Sequence, residues 1–166
     1  MTDIALLFDT GTNTADIAVQ DGGLAMDDGL RTAIVLSLFT DARARPDDVL
    51  PQAGVDPRGW WGDFGNADPN DRIGSRLWLL DREKLTEATA LRARDYCREA
   101  LAWLVTDGVV RAVEIETAIA RPSAALLTGG LTIAVTLSRP DGPARQRYDF
   151  VWAATANTPD QMSLAA

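Results

Sequence analysis

Two carboxylates, Glu114 and Glu116, stand at a spacing that could support hydrolysis. The alternating sequence around them predicts a β-strand, so their side chains share one face and lie roughly 7 Å apart along the chain. That separation is close to the one an inverting glycosidase needs between its acid and its base. No aromatic side chains accompany them to bind a sugar, and alternate polar residues usually form the solvent-facing side of a half-buried strand. We therefore predict that both glutamates are surface residues.

The tripeptide Asp9-Thr10-Gly11 resembles the catalytic loop of the aspartic proteases. Ile73-Gly74 lies downstream, where those enzymes often carry an apolar residue before a glycine. Their chemistry needs two such carboxylates that share one proton, and this chain has one Asp-Thr-Gly, so a protease would have to be a dimer. The helical, tryptophan-containing middle of the chain is unlike the all-β body of that family. A hydrolase acting through Asp9 is kept as an alternative.

The remaining motifs predict no catalytic residue, no metal site and no cofactor. The acidic stretch that starts at Asp68 has Ile73 and Leu79 where a calcium-binding loop needs glycine and glutamate. There is no glycine-rich phosphate loop and no cluster of zinc ligands. The chain contains no histidine, which removes the commonest general base and metal ligand. We therefore do not expect an enzyme or a small-molecule substrate.

Composition indicates one soluble domain that is made in the cytosol. The chain has 166 residues, of which 46% are hydrophobic, enough to bury a core, and we place the domain at 1–153 with a flexible tail at 154–166. Its net charge of −8 opposes binding to nucleic acid and to anionic membranes. No apolar run is long enough to span a bilayer. The lone Cys97 is interpreted as a core residue.

In the first half of the chain, apolar residues first recur at every second position, as in a strand, and then at every third or fourth position, as in a helix. The apolar run Ile4–Phe8 and the turn residues Asp21-Gly22-Gly23 predict an N-terminal hairpin. Asp27 and Asp28 are candidate N-caps for a buried helix through Leu30 and Phe39 that ends near Asp41, before Pro46.

A long loop is predicted over 46–70, because this segment is rich in glycine and proline and has no period of either kind. Loops of this length usually bind something. Trp60 and Trp61 lie in its middle, and two interpretations remain open. The tryptophans either fold back as a lid on the core or dock a partner.

Helices are predicted after the loop, and strands after the helices. A short helix starts at Ser75–Leu80, and Thr86 caps a longer one that runs to about Val105 and stops at Asp107-Gly108. The period then changes to two, which predicts three strands around Val109–Ile119, Leu131–Leu137 and Tyr148–Trp152, the last two joined by the turn Arg139–Gly142. Sequential strands with short connections pair as neighbours, so we expect a three-stranded antiparallel meander. The fold class is α+β, with an N-terminal hairpin and central helices.

Several segments together resemble the Mu-like prophage tail baseplate proteins. These segments are Gly59–Asp63, Gly74–Leu80, Ala100–Val109, Arg139–Gly142 and Arg147–Trp152. Their order and spacing match over Ile4–Trp152. The resemblance implies a structural component of the baseplate wedge of a contractile tail, similar to the small lysozyme-like-named wedge proteins of T4-type and P2-type phages. It implies wedge, hub and sheath proteins as partners, and the virion tail baseplate as location.

The resemblance also implies a docking surface. One sequence feature of the family is absent from this chain. Many relatives carry Glu-Pro-Arg between the long helix and the meander, whereas this chain has Thr106–Arg111 there. A meander leaves a strand edge to which a partner strand can add. The candidate interaction residues are Trp60, Trp61, Arg76, Trp78, Thr132, Ala134, Thr136, Arg147, Asp149 and Val151. A cytosolic binding or regulatory module of similar fold is the second alternative.

Overall fold

The protein begins with short strands, continues with helices and ends with a three-stranded sheet. Its structure, a computed structural model, describes residues 3–9, 14–27, 29–52, 54, 56–66, 72–122, 129–140 and 145–153. The strands are β1 Asp3–Ile4, β2 Leu6–Asp9, β3 Thr14–Ile17, β4 Val19–Gln20, β5 Gly23–Leu24, β6 Met26–Asp27, β7 Ala112–Ala120, β8 Gly130–Ser138 and β9 Gln146–Ala153. The α-helices are α1 Arg31–Phe39, α2 Glu87–Ala100 and α3 Trp103–Thr106. The predicted α+β class is confirmed.

The N-terminal strands form three two-stranded antiparallel ladders that meet at three alanines. β1 pairs with β6, β2 with β3, and β4 with β5. At the junction the N–H of Ala5 donates to the C=O of Ala25 at 2.8 Å, Ala25 donates to Ala18 at 2.8 Å, and Ala18 donates to Ala5 at 2.9 Å. These three hydrogen bonds close a ring. Each of the three chain segments therefore changes its paired strand at its alanine. The small side chains let the three backbones approach.

The predicted hairpin is confirmed at β4 and β5. Asp21 and Gly22 form its turn with φ values of 52° and 78°, the positive values that a type I′ turn requires at both central residues. The sequence did not predict that β1 pairs with β6 around it. The turn between β2 and β3 lies outside the described residues.

The predicted N-cap is wrong: α1 has Leu30 at this position, without a side-chain capping hydrogen bond, and Asp27 instead lies before the cap and binds the approach to the helix. The two carboxylate oxygens of Asp27 accept the N–H groups of Gly29 at 2.9 Å and Thr32 at 2.8 Å. Of the two, the N–H of Thr32 lies in the first turn of α1, where backbone donors have no partner within the helix. The other predicted cap, Asp28, lies outside the described residues. Thr32 also donates its hydroxyl to the C=O of Ile4 at 2.8 Å, which fastens β1 to α1.

The central helices differ from the prediction in type and continuity. The short helix predicted at Ser75–Leu80 is a 3₁₀-helix over Leu77–Leu80. Thr86 caps α2 as expected, because its hydroxyl accepts the N–H of Thr89 at 3.2 Å. Another 3₁₀-helix, Trp61–Gly65, lies within the predicted loop.

The helix predicted to reach Val105 is interrupted after Ala100, where α2 ends. Leu101 has φ −102° and ψ 4°, and its C=O accepts from Leu104 three residues on, so the chain is wound more tightly here. The break lets Leu101 and Leu104 both become fully buried. It also brings the indole N–H of Trp103 to the hydroxyl of Ser37 at 3.1 Å. Tertiary packing thus overrides the regular helix that the spacing predicted.

The C-terminal meander is confirmed as an antiparallel sheet with β8 in the centre, in the order β7-β8-β9. Its core face contains the predicted side chains, all buried: Leu131, Ile133, Val135, Leu137, Tyr148, Phe150 and Trp152. The first strand starts three residues later than predicted. Val110 is buried instead of sharing a face with Glu114, because its N–H donates to the C=O of Leu104 at 3.0 Å and turns the chain.

One hydrophobic core joins the helices to the sheet. Residues of α1, of the 3₁₀-helix Leu77–Leu80 and of α2 pack against the buried face of β7, β8 and β9. Phe8 of β2 stacks on Phe39 of α1 with ring centroids 3.8 Å apart, which anchors the N-terminal strands to this core. Within the described residues, no helix is long and apolar enough to cross a membrane.

Candidate functional site

The residues considered for hydrolysis lie at the surface on two different strands, Asp9 on β2 and the two glutamates on β7. Asp9 is exposed at the end of β2, and Thr10 and Gly11 lie outside the described residues. Glu114 and Glu116 are exposed on β7, as predicted. Each forms an ion pair, Glu114 with Arg145 and Glu116 with Arg147 at 3.2 Å. These contacts suit a solvated face of a strand.

Cys97 is a core residue, as predicted. Its side chain is fully buried in α2, and burial raises the pKa of the thiol to about 12. A thiol at that pKa stays protonated near neutral pH, whereas the nucleophile in cysteine chemistry is the thiolate. In the part of the chain that the structure describes, no three acidic, histidine or cysteine side chains group as metal ligands.

Six of the predicted interaction residues share the outer face of the C-terminal sheet. The register aligns Thr136 with Arg147, Ala134 with Asp149, and Thr132 with Val151, and residues directly opposite each other lie on the same face. One end of this face is charged and the other end is small and uncharged.

Arg147 organises the charged end of that face. Its guanidinium contacts Asp149 at 2.9 Å and Glu116 at 3.2 Å. The hydrogen bond and charge of Asp149, with a smaller contribution from Glu116, raise the pKa of Arg147. Because these groups are exposed, the pairs orient side chains and contribute little stability.

The order of the sheet shows which strands can offer an edge, a point that the sequence left open. β8 is paired on both sides, so the main-chain groups of Thr132, Ala134 and Thr136 are already bonded to β7 and β9. A partner strand therefore cannot add to β8. Among the described residues, the sheet has its edges at β7 and β9. Three of the predicted interaction residues, Arg147, Asp149 and Val151, lie on β9, so we take β9 as the candidate docking edge.

The tryptophan loop presents two aromatic side chains to solvent. Trp61 and Phe64 are each 78% exposed. They lie three residues apart in a 3₁₀-helix, where side chains at that spacing eclipse each other and project on the same side. We call this pair the aromatic knob. Sequence reasoning missed Phe64, although its spacing of three from Trp61 was the signal that could have found it.

Trp60 packs against Trp61 of the aromatic knob. It is partly buried, and its ring lies 5.4 Å from that of Trp61. A Cβ atom added to Gly62 would come within 2.3 Å of the Trp60 ring, so glycine is required for this close approach. Trp60 thus packs within the loop, and Trp61 is the more exposed of the two tryptophans.

Trp78 does not dock a partner with its side chain, which corrects another prediction. It is 3% exposed, and its indole N–H donates to the C=O of Ala42 at 2.8 Å. The guanidinium of Arg58 lies 4.4 Å above its ring and bonds to Asp41 at 2.8 Å. Arg58 and the next residue, Gly59, have positive φ values of 54° and 114°. Trp78 is thus the base on which the turn before the aromatic knob rests.

Arg76 is likewise an internal contact and not a free docking residue. Its guanidinium bonds to Asp48 at 2.7 Å and to Glu99 at 2.7 Å, and lies 4.6 Å above the ring of Tyr96. The side chains of Arg76 and Asp48 are only 11% exposed. We call Arg76, Asp48 and Glu99 the arginine clamp, because they fasten the central loop to α2.

The clamp perturbs the acidity of Asp48. Burial of the carboxyl raises its pKa, but the N–H of Arg45 and the guanidinium of Arg76 together outweigh burial, and the net result is a pKa below the usual value. Asp48 is therefore held ionised in the folded protein.

Comparison with known proteins identifies relatives over most of the chain. The model of the family described as phage protein GP46 matches residues 30–144. The baseplate protein gp46 of Escherichia phage Mu is 46% identical over 143 residues, which cover 86% of this chain and 90% of that protein. The Mu-like prophage FluMu protein gp46 of Haemophilus influenzae is 37% identical over 147 residues, which cover 89% of this chain and 94% of that protein. No solved structure matches the chain.

Proposed function

Because the chain belongs to the phage protein GP46 family, we propose that it is a structural component of a phage or prophage tail baseplate. The observation that carries this proposal is the 46% identity to the baseplate protein of phage Mu over nine tenths of that protein. A structural role for the family also favours a protein without catalytic activity. The chain would then act in the virion tail baseplate, through contacts with other tail proteins, after synthesis in the host cytoplasm.

Within the baseplate, we place the chain in the wedge of a contractile tail, in contact with wedge, hub and sheath proteins. The edge of β9 supports this placement, since an edge strand offers unpaired N–H and C=O groups to a partner strand. Beside that edge, the outer face of the sheet is small and uncharged around Thr132 and Val151. Such a surface does little to repel an approaching strand. Sheath polymerisation could begin there by strand addition.

The aromatic knob supports a second contact in the same assembly. Large aromatic side chains are enriched among the residues that dominate binding energy in protein interfaces. Trp61 and Phe64 project from a loop that Trp78 and the arginine clamp hold in place, so little entropy is lost when they bind.

Deletion of the gene from its phage or prophage tests the proposal. We expect electron microscopy to find no complete baseplates after deletion and to find them again when the wild-type chain is supplied. Labelled chain should be located in the baseplate of the restored particles. Complete baseplates in the absence of the chain would overturn the structural role. Recovery of the chain in the host cytosol with a host protein, and not in particles, would favour the regulatory alternative.

A further inference from the structure

The N-terminal strands expose a group of large apolar side chains outside the core. Their exposed fractions lie between 37 and 70%, whereas the apolar residues on the core face of β8 are fully buried. The residues are Ile4, Ile17, Val19, Leu24 and Met26. We call them the N-terminal apolar face.

Strand register brings these side chains to one side. Ile4 is directly opposite Met26, and Val19 is directly opposite Leu24, so each pair shares a face of its ladder. Ile17 is opposite Leu6, which packs against the core. Because extended chains alternate with period two, Ile4 shares a side with Leu6, and Ile17 with Val19. The face therefore continues the core outward, past the point where α1 stops covering it.

The face is held firmly enough to be an interface. The ring of hydrogen bonds through Ala5, Ala18 and Ala25 fixes the three ladders relative to each other. The hydroxyl of Thr32 and the stacked rings of Phe8 and Phe39 fasten them to α1. Contiguous exposed apolar surface on a soluble protein marks an interaction site.

The charge around this face selects the chemistry of its occupant. Residues 1–30 contain six aspartates and no lysine, arginine or glutamate, so they carry six of the eight net negative charges of the chain. Asp3 and Asp16 alternate with Ile4 and Ile17, so they lie on the opposite side of the two-stranded ladders, and Asp21 lies in the turn between Val19 and Leu24; all three are exposed. Their charges still act on a partner at the apolar face, because a ladder is thinner than the Debye length of about 10 Å. A partner with lysine or arginine around an apolar centre complements this arrangement.

A second copy of the chain does not complement it. A symmetric contact presents the same patch from both subunits, so it would bring two segments that each carry six aspartates close together. Like charges brought together cost free energy and suppress such a pairing.

We propose that the N-terminal apolar face docks onto an apolar, basic-rimmed surface of another protein of the baseplate. This inference rests on the proposed function and adds the chemistry of one partner. The face lies outside residues 30–144, the segment that matches the family model.

The test compares two double variants of the full chain with matched losses of exposed apolar surface. Val19→Ser with Leu24→Ser removes the pair at the tip of β4 and β5. Val49→Ser with Leu91→Ser removes two exposed apolar residues elsewhere and is the control. Both variants should melt within a few degrees of the wild type, because none of the four side chains is buried. The probes are the tail proteins of the same phage or prophage, purified one by one and titrated by calorimetry.

We expect one tail protein whose affinity falls at least tenfold with the face variant and is unchanged with the control, as for residues that dominate an interface. Its affinity for the wild type should fall as salt is raised, and Asp16→Lys with Asp21→Lys should weaken it at low salt. Unchanged binding by the face variant overturns the inference. Binding that is independent of salt and of the lysine variant overturns the basic rim. Sedimentation showing a wild-type dimer that the face variant loses assigns the face to a second copy.

Failure of the inference is distinguishable from failure of the proposed function. If the face variant restores complete baseplates in the deletion strain as well as the wild type does, the inference is wrong and the structural role stands. If the wild type itself binds none of the tail proteins and does not enter particles, the proposed function is wrong and the inference falls with it.

Discussion

Arg76 shows how single residues in this protein maintain a surface without being part of it. It joins Asp48 of the central loop to Glu99 of α2 and stacks on Tyr96. Removing one partner of a largely buried ion pair leaves a charge without compensation, which is costlier than the loss of a surface pair. The clamp therefore stabilises the fold around the loop from which the aromatic knob projects.

The arginine clamp predicts a pH-dependent stability that can be assigned to Asp48. Asp48→Asn should reduce the free energy of unfolding by about 2–4 kcal/mol at neutral pH. The folded pKa of Asp48 lies below the ordinary value of 3.8, so its stabilisation is complete above the unfolded pKa and is lost as pH falls through the folded pKa. Urea unfolding of variant and wild type should thus differ at neutral pH and converge in acid.

Asp47→Asn is the control for this experiment, because Asp47 is the exposed neighbour. It should leave the unfolding midpoint unchanged. A difference between Asp48→Asn and the wild type that persists undiminished in acid would show that the carboxylate charge is not the stabilising group.

At the scale of elements, two segments combine exposure with rigid support. The 3₁₀-helix Trp61–Gly65 carries the aromatic knob, and β9 is an edge strand whose core-facing residues are buried. In each, one side is fixed by the core and the other is available. This division predicts that binding and folding can be separated by substitution.

Trp61→Ala with Phe64→Ala should change the free energy of unfolding by no more than about 0.5 kcal/mol, because both side chains are mostly exposed. Entry of the chain into baseplates should fall at least tenfold, measured by immunoblotting of purified particles. Trp60→Ala is the contrasting variant, and we expect it to lower the melting temperature because its ring packs over Gly62. Normal entry of the double variant would remove the aromatic knob from the interface.

Proline substitutions along β9 distinguish the N–H groups that bond to β8 from the N–H groups that point outward. Within 147–151, a proline should unfold the protein where the N–H points to β8 and should spare it where the N–H points outward, and the folded variants should lose assembly. The same substitutions within 132–136 are the control, and all should unfold the protein, because β8 is bonded on both sides. Circular dichroism and baseplate incorporation are the measurements. Folded β9 variants that assemble normally would exclude strand addition at this edge.

For the whole molecule, the candidate contacts lie in three separate regions around one core: the β9 edge, the aromatic knob and the N-terminal apolar face. Several contact surfaces on one small domain suit a protein that connects others. A hydrolase would instead need its polar groups to converge in a cleft. The exposed positions of Asp9, Glu114 and Glu116 do not provide such convergence.

We expect the purified chain neither to cleave unfolded protein at acid pH nor to hydrolyse peptidoglycan. The assays are release of peptides from a denatured substrate and clearing of a cell-wall suspension, each with Asp9→Asn as the matched variant. Proteolysis by the wild type that disappears in Asp9→Asn would establish the protease alternative.

The sequence by itself determined the features that depend on neighbouring residues. Thr86 caps α2 as predicted, and Gly108 takes a positive φ of 71° where the helical segment ends. The alternation in β8 and β9 correctly assigned the core face of both strands. Caps, turns and periodicity are local properties, so a single sequence records them.

Only the tertiary structure decided which surfaces remain free. Alternation places a residue on a face but does not say which strand lies in the middle of a sheet, so the sequence left the open edge undecided between the strands. Aromatic and arginine side chains suit both cores and interfaces, and only the packing around them buried Trp78 and Arg76 and exposed Trp61. The meeting of three ladders at Ala5, Ala18 and Ala25 likewise depends on chain segments that no local pattern pairs.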